Sequence, residues 1–130
     1  MKPYPCLILD DSLSDQLTIE IALHPFEEIE PYFVSTPDEF LQALSQKNYQ
    51  LLIVDIRLQG RLTGIDLLQL LKSSATWVIL YSAYEANVYY RQFHSLPFVK
   101  FYLQKPLDEY AFKTHIESFL FTQKRIRSLS

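Results

Sequence analysis

Five polar residues with the groups needed for charge-based chemistry stand at or just after the ends of short apolar runs. They are Asp10, Asp11, Asp55, Ser82 and Lys105. If the three carboxylates share one pocket they repel each other, and two of them about 4 Å apart at an effective dielectric near 20 cost roughly 4 kcal/mol. A bound cation or a shifted proton must offset that repulsion. Oxygen ligands without histidine or thiolate favour Mg²⁺.

The same residue types supply what phosphoryl transfer needs. A carboxylate nucleophile, a magnesium ion and a lysine can form and hold an aspartyl phosphate, and a hydroxyl adds a hydrogen-bond donor. A single aspartate after a strand is usually a helix cap or a turn residue, so no one of them indicates a function alone. The complete set, with each member at a predicted strand end, favours one functional pocket.

Alternating strands and helices must position these residues. The apolar runs that predict strands are Cys6–Leu9, Pro31–Ser35, Leu51–Val54, Trp77–Tyr81 and Phe98–Leu103. Runs that are apolar on both faces are typical of a parallel sheet covered by helices on each side. The second strand is predicted at an edge because of its proline. Right-handed crossovers and strand order 2-1-3-4-5 give an α/β, flavodoxin-like, doubly wound (βα)5 fold, in which ligands bind beyond the carboxyl ends of the strands.

Five helices are predicted between and after the strands. They cover about residues 13–24, a segment capped by Thr36, a segment after Gly64, roughly Glu85–His94, and a last helix from near Leu107. One face of the first helix is marked by Leu13, Leu17 and Ile21. The last helix is predicted to bury Phe112, Ile116 and Phe119 or Leu120.

Length and composition indicate a single domain. The chain has 130 residues, 48% of them hydrophobic, and a formal net charge of −3. That composition supports a core, and the charge lacks the basic field of a dedicated nucleic-acid binder. One cysteine, Cys6, excludes an internal disulfide framework. No signal peptide or membrane span is predicted, so we expect a cytoplasmic chain with a core over about 5–121 and a basic tail over 122–130.

The sequence resembles the receiver domains of response regulators over essentially its whole length. The motifs that carry the resemblance are Leu7–Ser12, Leu51–Ile56, Tyr81–Ala83 and Tyr102–Pro106. The resemblance implies a phosphorelay switch without catalysis beyond its own phosphorylation and hydrolysis. It also implies a sensor histidine kinase or a histidine phosphotransfer protein as the phosphodonor.

The resemblance implies a role for each acid. Asp55 would be the phosphoacceptor and would hold Mg²⁺ together with Asp11. Asp10 would act mainly through water, and the backbone carbonyl of Arg57 would complete the protein ligands.

The remaining motif residues would read the phosphoryl group. Ser82 would hydrogen-bond it, Lys105 would pair with it, and Tyr102 would swing inward when Ser82 moves. The Lys105–Pro106 peptide is expected to be cis.

Two features depart from the usual pattern of the family. Arg57 and Tyr84 are bulky where the family controls hydrolysis, which predicts a long-lived phosphoryl group. The expected readout face, made by the fourth predicted helix, the fifth strand and the fifth helix, is rich in aromatic residues and suits a homodimer or a partner helix. Its aromatic residues are Tyr89, Tyr90, Phe93, Phe98, Phe101 and Tyr110.

The sequence is also compatible with other functions. A pseudo-receiver would keep the fold as an interaction module and signal without phosphate, although the retained acids, serine and lysine argue against it. A phosphatase with an aspartate nucleophile generally wants a second acid where Arg57 stands. A third alternative is a receiver fragment of a DNA-binding regulator.

Overall fold

The protein is described from a computed structural model that covers residues 2–56, 58, 63–71, 76–84, 91, 96 and 98–129. Five parallel strands form one sheet in the predicted order β2-β1-β3-β4-β5. The strands are β1 (Tyr4–Leu9), β2 (Ile29–Val34), β3 (Leu51–Val54), β4 (Trp77–Ser82) and β5 (Val99–Gln104). The doubly wound fold is therefore confirmed, with the proline-containing β2 at one edge.

Four helices are described between and after the strands. They are α1 (Leu13–Leu23), α2 (Pro37–Gln46), α3 (Gly64–Leu68) and the C-terminal helix (Glu109–Ser128). Each begins at the capping residue that its sequence supplies: Ser12, Thr36, Thr63 and Asp108 accept hydrogen bonds from backbone N–H groups of the first turn. The predicted helix over residues 85–94 falls outside the described residues except for Arg91, which is helical.

Alternate residues of the central strands fill two separate cores, one on each face of the sheet. Leu52 and Val54 of β3 face one side, where Phe40 of α2 covers them. Ile53 points to the other side, which the C-terminal helix covers through residues such as Phe119. This two-sided burial explains the continuous apolar runs of the sequence, because each strand contributes to both cores.

The C-terminal helix confirms its predicted buried face, whereas α1 does not bury the apolar stripe that the sequence marks. Leu13, Leu17 and Ile21 are 75%, 54% and 62% exposed. The sheet is covered instead by Ile19 and Leu23, which are buried. The first helix is thus apolar on two faces, and only one of them packs against the sheet.

Within the described residues, no helix combines the length and the hydropathy needed to cross a membrane.

Candidate functional site

Neighbouring strand ends bring the first predicted acids to one edge of the sheet. Asp10 follows β1 and Asp55 follows β3, and the backbone N–H of Asp55 donates to the Leu9 carbonyl at 2.9 Å. Both residues are almost fully buried, since Asp10 is 1% and Asp55 6% exposed. The convergence that the sequence predicted for these two residues is present.

Three carboxylates meet in this pocket. One oxygen each from Asp10, Asp11 and Asp55 lies within 4.8 Å of the others. Burial raises the pKa of Asp10, although the Ser12 N–H at 2.9 Å and the Lys105 ammonium oppose that rise. Crowded carboxylate oxygens of this kind are the donor set that a hard divalent cation takes, so the residues fit Mg²⁺.

Lys105 is the counter-charge of the cluster. Its Nζ lies 2.9 Å from Asp10 Oδ2 and 3.1 Å from Asp55 Oδ2, and the side chain is 14% exposed. Burial alone would lower the pKa of Lys105, but the carboxylates outweigh it, those of Asp15 and Asp10 first, and the pKa is raised. The lysine is therefore a fixed ammonium beside the predicted phosphoacceptor.

Asp15 belongs to the same cluster and was not predicted from the sequence. Its Oδ2 lies 2.7 Å from Lys105 Nζ, the shortest of the three contacts of that ammonium. It stands in the first turn of α1, where its N–H donates to the capping Ser12 Oγ at 3.3 Å. An acid in the first turn of a helix that begins at the pocket was the available signal, but an acid there is common in any helix.

Ser82 and Lys105 occupy adjacent strand ends. Ser82 closes β4 and is fully buried, and its carbonyl accepts a hydrogen bond from the Lys105 N–H at 2.7 Å. The Lys105–Pro106 peptide is cis, as expected. The sequence therefore placed the hydroxyl and the ammonium at the correct edge.

Two hydrogen bonds link Ser82 to Tyr102 through a single residue. The Tyr84 N–H donates to Ser82 Oγ at 3.3 Å, and the Tyr102 hydroxyl donates to the Tyr84 carbonyl. The side chains of Ser82 and Tyr102 are thus both hydrogen-bonded to the backbone of Tyr84.

The backbone of Gly64 packs directly against the backbone of Asp55. Its N–H donates to the Ile56 carbonyl at 2.8 Å, and a Cβ at this position would lie 2.0 Å from the Asp55 carbonyl oxygen. The sequence predicted a helix after Gly64, and the structure shows that the start of this helix lies in backbone contact with Asp55.

Some predicted residues lie outside the described part of the chain. Arg57, predicted to offer a carbonyl to the metal, is one of them. So are three aromatic residues of the expected readout face, namely Tyr89, Tyr90 and Phe93. Of the others, Phe98 is buried, whereas Tyr110 is 80% exposed. Phe101 stacks on His115 with ring centroids 3.7 Å apart. Homodimerisation through this face stays a prediction.

Comparisons with known proteins agree with this geometry. A family model described as the response regulator receiver domain matches residues 6–117. A search of curated protein sequences finds no significant match.

Solved receiver domains share the fold. A CheY-like receiver domain protein from Methanospirillum hungatei JF-1 is 21% identical with a TM-score of 0.80, covering 95% of this chain and 98% of that one. The signal receiver domain of an HD domain-containing protein from Pseudomonas fluorescens Pf-5 is 20% identical with a TM-score of 0.83, covering 98% of this chain and 94% of that one. A CheY-like receiver domain from Methylobacillus flagellatus is 20% identical with a TM-score of 0.77, covering 91% and 99%. Taken with the match over residues 6–117, these findings show that the chain belongs to the response regulator receiver domains of two-component signalling.

Proposed function

We propose that Asp55 accepts a phosphoryl group from the phosphohistidine of a sensor histidine kinase or a histidine phosphotransfer protein. One observation carries the proposal. The buried carboxylate of Asp55 lies within 4.8 Å of two other carboxylates and 3.1 Å from the ammonium of Lys105. Receiver domains as a family are signalling modules with a phosphoacceptor role and an acidic Mg²⁺ pocket, and the proposal assigns those properties to these residues.

The transfer is a displacement at phosphorus. A carboxylate oxygen of Asp55 attacks, a new P–O bond forms, and the P–N bond to the donor imidazole breaks, with its electron pair returning to the ring. Hydrolysis reverses the modification, because water attacks the phosphorus and the Asp55 carboxylate leaves with inorganic phosphate as the product. Lys105 holds the charge of the phosphoryl oxygens in both steps.

The metal would be held by the acids of the same pocket. Asp11 and Asp55 would ligate Mg²⁺ directly, Asp10 would act mainly through water, and the Arg57 carbonyl would complete the set. When bound, Mg²⁺ would neutralise negative charge that builds up on the transferring phosphoryl oxygens.

The Ser82–Tyr84–Tyr102 connection provides a route for the signal. A phosphoryl group on Asp55 adds close to two negative charges that a hydroxyl donor can reach. If the Ser82 hydroxyl turns toward that charge, the Tyr84 N–H loses its acceptor. The carbonyl that holds the Tyr102 hydroxyl belongs to the same residue, so we propose that Tyr102 is repositioned with it.

We propose that the exposed apolar face of α1 contacts the phosphodonor protein. We place both proteins in the cytoplasm. Leu13 directly follows the capping Ser12, whose N–H binds Asp10, so the stripe begins at the rim of the pocket. It continues through Leu17 and Ile21, each more than half exposed. A protein that presents a histidine to Asp55 must approach this rim, and the stripe offers it an apolar contact.

The test is the intact mass of the protein after incubation with Mg²⁺ and a small acyl phosphate. Wild type should gain one phosphoryl group and Asp55→Asn none. The control is Asp38→Asn, which removes one exposed acid from the first turn of α2 and should behave like wild type. Equal gain in wild type and Asp55→Asn would point to another acceptor residue. No gain in wild type would favour an interaction module that signals without phosphate.

A further inference from the structure

Lys105 has as many contacts with carboxylates as it has N–H donors. A lysine ammonium donates three hydrogen bonds. Those of Lys105 go to Asp10 at 2.9 Å, Asp15 at 2.7 Å and Asp55 at 3.1 Å. A phosphoryl group on Asp55 therefore gains a direct bond from Lys105 only if one of these contacts is given up.

The three contacts differ in what their loss would cost. The Asp10 side chain is 2% exposed, so releasing it would leave a buried carboxylate without its cation, which is expensive. Asp55 carries the phosphoryl group itself. The Asp15 side chain is 31% exposed, so water can solvate its carboxylate once Lys105 leaves. Of the two contacts with residues other than Asp55, the Asp15 contact is consequently the one that breaks at the lower cost.

We infer that Asp15 is a positioning residue that competes with the phosphoryl group for the Lys105 ammonium and thereby sets the balance between metal binding and phosphoryl binding. This inference rests on the proposed function of Asp55. Before phosphorylation, Asp15 draws Lys105 toward α1 and adds one negative charge beside the three-acid cluster, both of which favour a divalent cation. After phosphorylation, the same carboxylate repels the phosphoryl oxygens and competes with them for the Lys105 ammonium.

The local structure fixes Asp15 in this position. Its N–H is tied to the Ser12 cap, and the next residue, Gln16, donates from Nε2 to the Asp10 carbonyl at 2.6 Å and the Val34 carbonyl at 3.2 Å. The first turn of α1 is thus attached to the ends of β1 and β2. The carboxylate is held beside Lys105 by backbone that has little freedom to move away.

Removal of the Asp15 charge should have opposite effects on the two ligands. In Asp15→Asn, the dissociation constant for Mg²⁺ should rise about three- to tenfold, because one nearby negative charge is lost. The affinity for beryllium trifluoride, which mimics a phosphoryl group on a carboxylate, should increase by about threefold or more at saturating Mg²⁺. If Asp15 had only a structural role, its substitution would lower the affinities for Mg²⁺ and beryllium trifluoride together.

Titration calorimetry with Mg²⁺ alone and fluorine NMR with beryllium trifluoride measure these two affinities. Asp15→Glu, which keeps the charge, should restore both toward wild type, and Asp38→Asn serves as the control for a lost acid in a first helical turn. Asp15→Ser provides a second uncharged variant if the asparagine protein does not fold.

An unchanged Mg²⁺ affinity in the uncharged variants, or no gain in beryllium trifluoride affinity, would overturn the inference. If wild type binds no beryllium trifluoride, the proposed role of Asp55 fails. The Mg²⁺ affinities of wild type, Asp15→Asn and Asp15→Glu then still decide whether Asp15 supports the metal site.

Discussion

At residue 64 the backbone at the start of α3 lies against the backbone of Asp55. The close contact leaves no room for a side chain, because a Cβ would meet the Asp55 carbonyl oxygen at 2.0 Å and Val54 Cγ1 at 2.7 Å. Neither neighbour can retreat easily, since β3 is buried between β1 and β4. A glycine outside the acid cluster thus determines where Asp55, the proposed phosphoacceptor, lies.

Gly64→Ala should therefore impair phosphorylation without touching any polar group of the pocket. We expect a loss of stability of about 1–3 kcal/mol from overpacking, and at least about a tenfold slower gain of phosphoryl from an acyl phosphate, because Asp55 is displaced. Intact mass over time and urea unfolding measure the two effects. Wild-type rates and stability in Gly64→Ala would contradict this account of the contact.

The sequence predicted the residues at strand ends better than those on the helices. Asp10, Asp55 and Lys105 were predicted together because parallel strands end at a common edge, which fixes the neighbourhood of whatever follows them. Asp15 was missed because its contact with Lys105 depends on how α1 is tilted and rotated at its start. No apolar period or motif encodes that orientation.

Among the elements, α1 shows how far periodicity can predict a packed face. Its apolar residues occur on two faces, so the pattern predicts a helix but leaves open which face covers the sheet. Ile19 and Leu23 are buried, and the more conspicuous stripe at Leu13, Leu17 and Ile21 is exposed. The position of β2 was predictable because Pro31 suits an edge strand. The packed face of α1 required the three-dimensional arrangement.

The exposed stripe should matter for transfer from a protein donor and not from a small molecule. We expect the double variant Leu13→Ser, Leu17→Ser to accept phosphoryl from a phosphohistidine protein at least about tenfold more slowly, because apolar contact area with the donor is lost. Its reaction with an acyl phosphate should be unchanged, and its stability should change little because both side chains are exposed.

The control is Ile126→Ser, an exposed apolar residue of the C-terminal helix, which should leave both reactions unchanged. A double variant that accepts phosphoryl from the protein donor at the wild-type rate would show that the donor does not use this face of α1.

For the molecule as a whole, the C-terminal helix joins the two ends of the chain. Arg127 lies over the ring of the buried Tyr4, 3.7 Å from its centroid, and donates from a guanidinium nitrogen to the Lys2 carbonyl at 2.6 Å. The same Tyr4 ring packs edge-on against Phe119 at 5.8 Å. The sequence predicted a basic tail over 122–130, and Arg127 of that segment makes these structural contacts.

Arg127→Ala should lower the free energy of unfolding by about 1 kcal/mol, through loss of the cation–π contact with Tyr4. Urea unfolding measures the change. Arg125→Ala is the matched control, because Arg125 lies over Phe121, which is 65% exposed, and its removal should cost less. Equal losses in the two variants would indicate that Arg127 contributes only its charge near the helix end.

The closeness of the two chain ends also determines where a fusion partner or a surface tether would lie on the protein. β1 starts at Tyr4, where Arg127 holds the ends together, and it finishes at Leu9, immediately before the acidic pocket. A fluorescent fusion, a surface tether or a short peptide linker between the ends would each be attached near the amino-terminal end of β1. Asp55 lies at the opposite, carboxyl-terminal ends of the strands. In immobilised or fused protein the attachment should therefore lie away from Asp10, Asp11 and Asp55, whichever end carries it.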